Sequence, residues 1–213
     1  MQRQPVDATV PDSLRRVFAV PALAHAMTDS APPDPSRTAQ DPTAAAELEQ
    51  MFVAIEAQTR AAESGKPVTD WAALNSRGKA RRERVRALLG QDQLSTARDY
   101  YHAATIMQRG TEPDDYLMAH DLAVAAIING EARAALVAAG SLDSFLKRTG
   151  RPQRYATQVE VTNLGTPQLY PIEPSVPDFL RVQFGAPTLA TAEKYVAKLL
   201  EGYKKRKVGL VPE

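Results

Sequence analysis

From about residue 43 onward, apolar positions recur at helical rather than strand spacing. "TAAAELEQMFVAIEAQTRAAESG" opens with Thr43 as a candidate N-cap, places Leu48, Met51, Phe52 and Ile55 on one stripe, and stops at Gly65. A second helix is predicted from the N-cap candidate Asp70 through "ALNSRGKARRERVRALLG", with Gly78 as a break or kink. "STARDYYHAATIMQRG" predicts a third, capped by Ser95 and closed by Gly110. The fourth, "YLMAHDLAVAAIING", has Pro113 in its first turn, Asp114 and Asp115 at the positive end of the helix dipole, and Asn129 with Gly130 at its close. "EARAALVAAGSLDSFLKRTG" predicts a fifth, ending at Gly150 with Lys147 and Arg148 in the last turn.

After Gly150 the pattern shortens to two runs, 157–161 and 168–172, separated by Asn163, Gly165 and Pro167, as in a β-hairpin or loop pair. A short helix over 176–184 and an amphipathic one over 188–205 finish the chain. The expected fold is mainly α, a helical bundle or stack of helical hairpins with a small C-terminal β-hairpin or extended segment over 156–173. The single helical domain is expected to span 44–208. Residues 1–43 hold seven of the 16 prolines and read as a disordered tail, in which 15–26 has the outline of a weak secretory signal interrupted by Pro21.

Composition narrows the chemistry. The 213 residues suit one core, and 26 Lys plus Arg against 25 Asp plus Glu argue against a protein that coats nucleic acid. With no cysteine, thiolate zinc, iron–sulfur ligation and a cysteine nucleophile fall away. No apolar run approaches the ~20 residues a membrane-spanning helix needs. The compartment stays open, with the cytoplasm favoured over export. No nucleophile elbow, Walker A loop, dinucleotide glycine fingerprint or H-E-x-x-H pair occurs, and no cofactor is implied.

The ionisable groups of the helices are the remaining candidates. On the fourth helix Leu117, Asp121, Val124 and Ile128 form an i, i+4, i+7 stripe on a nearly all-apolar helix, which predicts a central position, so Asp121 and its neighbour His120 call for partners on adjoining helices. The third helix offers His102 and a face shared by Tyr101, Thr105 and Gln108; the fifth offers Asp143 beside Leu136, Ala139 and Leu146. A polar pocket between three helices would give acid, base or metal ligands, and a satisfied structural network is the alternative reading. With no paired ligands on one helix, no metal is expected. The "RPQRYATQ" segment concentrates donors, with Gln153, Arg154, Tyr155, Thr157 and Gln158 suited to gripping an anion or amide. "RGKARRERVR", with six cations in ten residues, and "YKKRK" read as charged solvated faces.

"DYYHAATIMQRG", "DDYLMAHDLAVAA", "SLDSFLKRTGRPQRYATQ" and "YPIEP" together resemble an uncharacterised bacterial family with a domain of unknown function, over roughly residues 80–190. The resemblance implies a mostly helical bacterial domain and no particular activity. Its pattern carries over Gln108, Asp143, Gln153, Thr157 and Gln158. It departs at Arg109, where the family has histidine, at Ser144, where it has arginine, and at Ala156, where it has glycine. Guanidinium stays protonated, so Arg109 cannot replace an imidazole base.

Two functions follow as expectations. One is a binding or interaction module recognising a protein, peptide or small polar ligand through the interhelical pocket and the 151–158 loop. The other is a hydrolase or transferase with His120 or His102 as base, Asp121 or Asp143 orienting it, and Gln153 and Gln158 holding substrate.

Overall fold

The computed structural model describes residues 42–64, 69–162 and 165–208, with side chains to residue 202. The proline-rich tail with its signal-like stretch, the Gly65 stop, Asn163 and the side chains of "YKKRK" lie outside the described residues.

Seven helices and one hairpin run in the order α1 (Pro42–Glu63), α2 (Trp71–Gly90), α3 (Ala97–Met107), α4 (Pro113–Ile128), α5 (Ala134–Arg148), β1 (Val159–Val161), β2 (Pro167–Leu169), α6 (Asp178–Gln183) and α7 (Leu189–Val208) among the described residues. The mainly helical expectation with a small antiparallel sheet is what the chain adopts. None of these helices is long and apolar enough to cross a membrane.

Local details depart from the sequence reading for identifiable reasons. Thr43 is already helical, because α1 begins at Pro42. A proline is welcome at the start of a helix, where its missing N–H removes nothing. Asp70 does cap α2, its Oδ1 accepting from Ala73 N at 2.8 Å. Gly78 neither breaks nor ends that helix. The cap of α3 is Thr96 rather than Ser95: its Oγ1 accepts from Asp99 N at 3.1 Å while Asp99 Oδ2 accepts from Thr96 N at 2.9 Å. This is the reciprocal capping box, and Asp three residues on is the acid that completes it. Gly130 (φ +100°) and Gly150 (φ +73°) supply the left-handed residue that ends α4 and α5. In each case the following residue bonds back across the last turn, Glu131 N to Ala126 O at 2.9 Å and Arg151 N to Leu146 O at 2.8 Å.

The main core joins α1 to α5 through Leu48, Ile55, Val85, Leu88, Ile106 and Met107, with Ala119, Ala123, Ala126, Ala134 and Ala138 between α4 and α5. Alanine at these contacts leaves no bulky side chain between α4 and α5, which favours close packing of the two helices. A second, smaller cluster of Ala139, Tyr155 and Ala186, flanked by Leu142 and Phe184, fixes the C-terminal segment to the other face of α5.

The fourth helix presents a different face to the core from the one its stripe suggested. Ala119, Leu122, Ala123 and Ala126 are buried, while Leu117 is 39 % and Ile128 79 % exposed. Asp121 is exposed with them. The error has a physical source: when leucine and isoleucine surround a helix, periodicity no longer says which side is covered, and the small residues that permit close packing decide it.

The basic run of α2 is more than a solvated face. Arg84 NH2 meets Glu47 Oε2 of α1 at 2.8 Å, and Arg82 Nε meets Asp115 Oδ2 of α4 at 3.4 Å, with Arg86 also paired to Asp115. Asp115, 3 % exposed, also accepts from Thr111 N at 3.2 Å, so it ties three segments together instead of only facing the helix dipole.

The hairpin pairs Val159 with Leu169, Glu160 with Gln168 and Val161 with Pro167. Lys147 Nζ, at the end of α5, donates to Val159 O at 2.9 Å, and Arg148 Nε donates to Thr111 O at 2.8 Å. The two cations placed by the helix dipole therefore also anchor neighbouring backbone. Helix α7 packs against β2.

A cleft floored by Gly140 and two side-chain amides

Asp143 is fully buried on α5, and it organises the segment that follows the helix. Its Oδ1 accepts from Arg154 N at 2.6 Å and Tyr155 N at 3.0 Å, and its Oδ2 accepts from Thr157 N at 3.1 Å and Thr157 Oγ1 at 2.8 Å. A single carboxylate thus collects the N–H groups of a tight turn, compensating its own desolvation. That turn contains Ala156 at φ +57°, a left-handed conformation that costs a residue with a Cβ roughly 1 kcal/mol.

Gln153, also fully buried, completes the scaffold. Its Nε2 donates to Gln158 O at 2.9 Å and Tyr170 O at 2.8 Å, and its Oε1 accepts from Gln158 N at 2.7 Å. Its backbone bridges to Pro171 O and Glu173 N. Every group of this amide is consumed, so the ligand-gripping role expected of Gln153 is not available to it. Tyr155 is likewise turned inward, 6 % exposed and 4.8 Å from the Phe184 ring. Arg154 is held through its backbone, its carbonyl accepting from the buried Arg181 Nε at 3.1 Å.

The residues that remain available lie over this scaffold. Gln108, Thr157 and Gln158 line a cleft of about 630 Å³ walled by α3, α5, the hairpin and α7. Residues 133, 136, 137 and 140 present one face of the fifth helical segment to it, following the i, i+3, i+4, i+7 spacing. Leu136, Val137, Val159 and Leu169 make its apolar walls.

Gly140 explains how the polar groups reach the floor. A Cβ there would lie 2.9 Å from Gln108 Nε2 and 4.0 Å from Thr157 Oγ1. Without it, Gln108 Nε2 reaches Val137 O at 3.3 Å, and Gln158 Nε2 reaches Gly140 O at 3.4 Å and Thr157 Oγ1 at 3.1 Å. Carbonyl oxygens only accept, so both amides must turn their nitrogens toward α5. Each Oε1 is left without a partner among the described residues.

Arg133 and Tyr101 form the charged end of the cleft. The Arg133 guanidinium lies 5.0 Å from the centre of the Tyr101 ring, and Glu131 holds it through Nε at 2.8 Å and NH2 at 2.6 Å. Those bonds push the Glu131 carboxyl down to about 2. Burial pushes the Tyr101 phenol up, so it stays a neutral donor through the ordinary pH range.

The histidines and Asp121 do not join this arrangement. His102 is 3 % exposed and stacked 4.3 Å from Phe52, with Nδ1 3.6 Å from Glu49 Oε2 on the α1 side of α3. Its pKa is lowered, chiefly by burial. His120 places Nδ1 3.0 Å from Ala138 O, which requires the proton on Nδ1, and bridges α4 to α5 without lining the cleft. Arg109 points away, toward Thr59 Oγ1 at 2.9 Å, and Ser144 Oγ donates to Gly140 O at 2.8 Å. Among the described residues no three His, Cys, Asp or Glu side chains group as metal ligands would.

Sequence reasoning missed Gly140, Arg133 and the apolar wall from α7. A signal existed for the first, since glycine inside a helix costs about 1 kcal/mol relative to alanine and so marks a close approach. The α7 wall had none, because Thr191, Ala192 and Tyr195 lie more than fifty residues beyond Gly140 and no short-range pattern links them to it. No family model, curated protein or solved structure matches this chain.

Proposed function

We propose that the protein is a binding module whose cleft takes a small amphipathic ligand, with hydrogen-bond donors for Gln108 Oε1 and Gln158 Oε1 and an apolar body between Val137, Val159 and Leu169. The observation that carries this reading is the pair of side-chain amides laid over Gly140 with their acceptor atoms unused among the described residues. Preformed acceptors on a rigid floor cost little ordering entropy on binding. A volume of about 630 Å³ falls within the range of small-molecule sites.

The hydrolase or transferase reading draws less support. Of its bases, His102 packs between α3 and α1 and His120 between α4 and α5, its orienter Asp143 is committed to the donors of the turn, and Asp121 faces outward.

A library of amide- and hydroxyl-bearing fragments, followed by two-dimensional amide spectra of the folded protein, tests the proposal. Ligands should shift the side-chain amide signals of Gln108 and Gln158 and the backbone signal of Gly140. Val159→Trp, which fills the cleft from an edge strand, should abolish those shifts while keeping the fold. Shifts elsewhere only, or shifts that persist in Val159→Trp, would defeat it.

A further inference from the structure

A second concavity lies on the opposite side of α3, between α1 and α2, and its chemistry is different. It holds about 770 Å³ and, among the described residues, is lined by Arg77, Lys79, Arg81, Arg82 and Arg109 against one carboxylate, Asp70. That carboxylate is already used as the α2 cap. Arg82 is matched by Asp115 and Lys79 loosely by Glu83 at 3.8 Å. Arg81 has only the Gln58 amide at 3.4 Å and Arg109 only the Thr59 hydroxyl at 2.9 Å, and no carboxylate pairs Arg77 among the described residues. Burial and the neighbouring Arg77 charge both push the Arg81 pKa down, the mark of cations crowded without a counter-charge. On a chain with net charge +1 this concentration is local. A concavity walled by one sign of charge gathers counter-ions.

The same helix face carries an aromatic platform. Trp71, Leu74, Asn75, Gly78, Arg81 and Arg82 follow i, i+3, i+4, i+7 spacing along the cavity wall. Trp71 is 63 % exposed. Ten residues separate it from Arg81, about 15 Å along the helix axis. Gly78 keeps the middle of that path low, since a Cβ there would meet Arg82 NH1 at 3.3 Å. This spacing suits a planar ring joined through a sugar to two or three phosphates. Planar rings stack on indole, and guanidinium forks match phosphate oxygens.

We propose that this cavity binds a small organic phosphate of the nucleotide class, its phosphates among Arg77, Arg81 and Arg109 and its ring against Trp71. The site is independent of the cleft over Gly140. Trp71 is the single tryptophan of the chain, so its fluorescence reports this site alone.

Titration of the full chain with ATP, tripolyphosphate and adenosine, by calorimetry and Trp71 fluorescence, tests it. ATP should bind saturably with a change in emission, tripolyphosphate should displace it, and adenosine should bind at least about tenfold more weakly. Arg77→Gln with Arg81→Gln should lower ATP affinity about tenfold or more at unchanged melting temperature and circular dichroism. Lys194→Gln with Lys198→Gln, which removes the same charge from α7, should not. The proposal is overturned by absence of saturable heat and emission change with ATP, by equal affinity for adenosine, or by equal losses in the two double variants.

Discussion

Replacing Asp143 is the sharpest test of how the cleft is built. In Asp143→Ala the N–H groups of Arg154, Tyr155 and Thr157 and the Thr157 hydroxyl lose their acceptor together. A buried donor left unsatisfied costs about 1–3 kcal/mol. Tyr155 is 6 % exposed and takes a value near the middle of that range, about 2 kcal/mol. Arg154 and Thr157 are half-buried and can recruit water into the space the carboxylate leaves, so about 1 kcal/mol is appropriate for each of their N–H groups, and the Thr157 hydroxyl, free to rotate toward that water, adds little. The sum is about 4 kcal/mol, a large part of the roughly 5–15 kcal/mol that separates a folded domain from its unfolded chain. Asp143→Asn keeps one acceptor oxygen but turns an NH2 group toward donors, and should cost about 2–3 kcal/mol. Urea unfolding followed by circular dichroism measures both losses. Amide exchange provides the local readout, since Tyr155 and Thr157 should lose protection before Ile106 or Leu88 does. An Asp143→Ala protein within about 1 kcal/mol of the parent, or unchanged protection at Tyr155 and Thr157, would refute the reasoning.

Three further outcomes follow from the same geometry. Gly140→Ala gains up to about 1 kcal/mol of helix propensity but drives the Gln108 amide from its seat 2.9 Å away, so stability should hold or rise while fragment binding in the cleft is lost; affinity and melting temperature measured together show it. Ala156→Gly relieves the left-handed strain at φ +57° and should stabilise by up to about 1 kcal/mol, less the burial of one methyl, in urea unfolding; a loss of more than about 1 kcal/mol contradicts the strain argument. His102 binds a proton less readily in the folded chain than at its ordinary 6.5, so below that pH the unfolded state takes up a proton that the native state does not, and stability falls until the lowered folded value is reached. The charges of Glu49 and Asp99 oppose the shift and those of Arg98 and Arg133 add to it. His102→Phe, which keeps the stack on Phe52, should remove that part of the acid loss when unfolding midpoints are compared between neutral and mildly acid pH.

What the linear chain determined was local. Helix existence, the Asp70 cap, the glycine stops at Gly130 and Gly150 and the hairpin after the fifth helix depend on neighbours within a few residues, and there the amino-acid pattern and the backbone agree. It also marked Gln108, Asp143, Thr157 and Gln158 as polar positions of interest. Their division of labour was decided only by tertiary structure. Asp143 and Gln153 became buried scaffolding, Gln108 and Gln158 came to face a cleft, and His102, His120 and Asp121 went elsewhere. The physical reason is that a side chain's role is set by which donors and acceptors arrive beside it. For Asp143 those came from the turn beyond its helix, and for the cleft from α3, β2 and α7, segments whose meeting no short-range periodicity encodes.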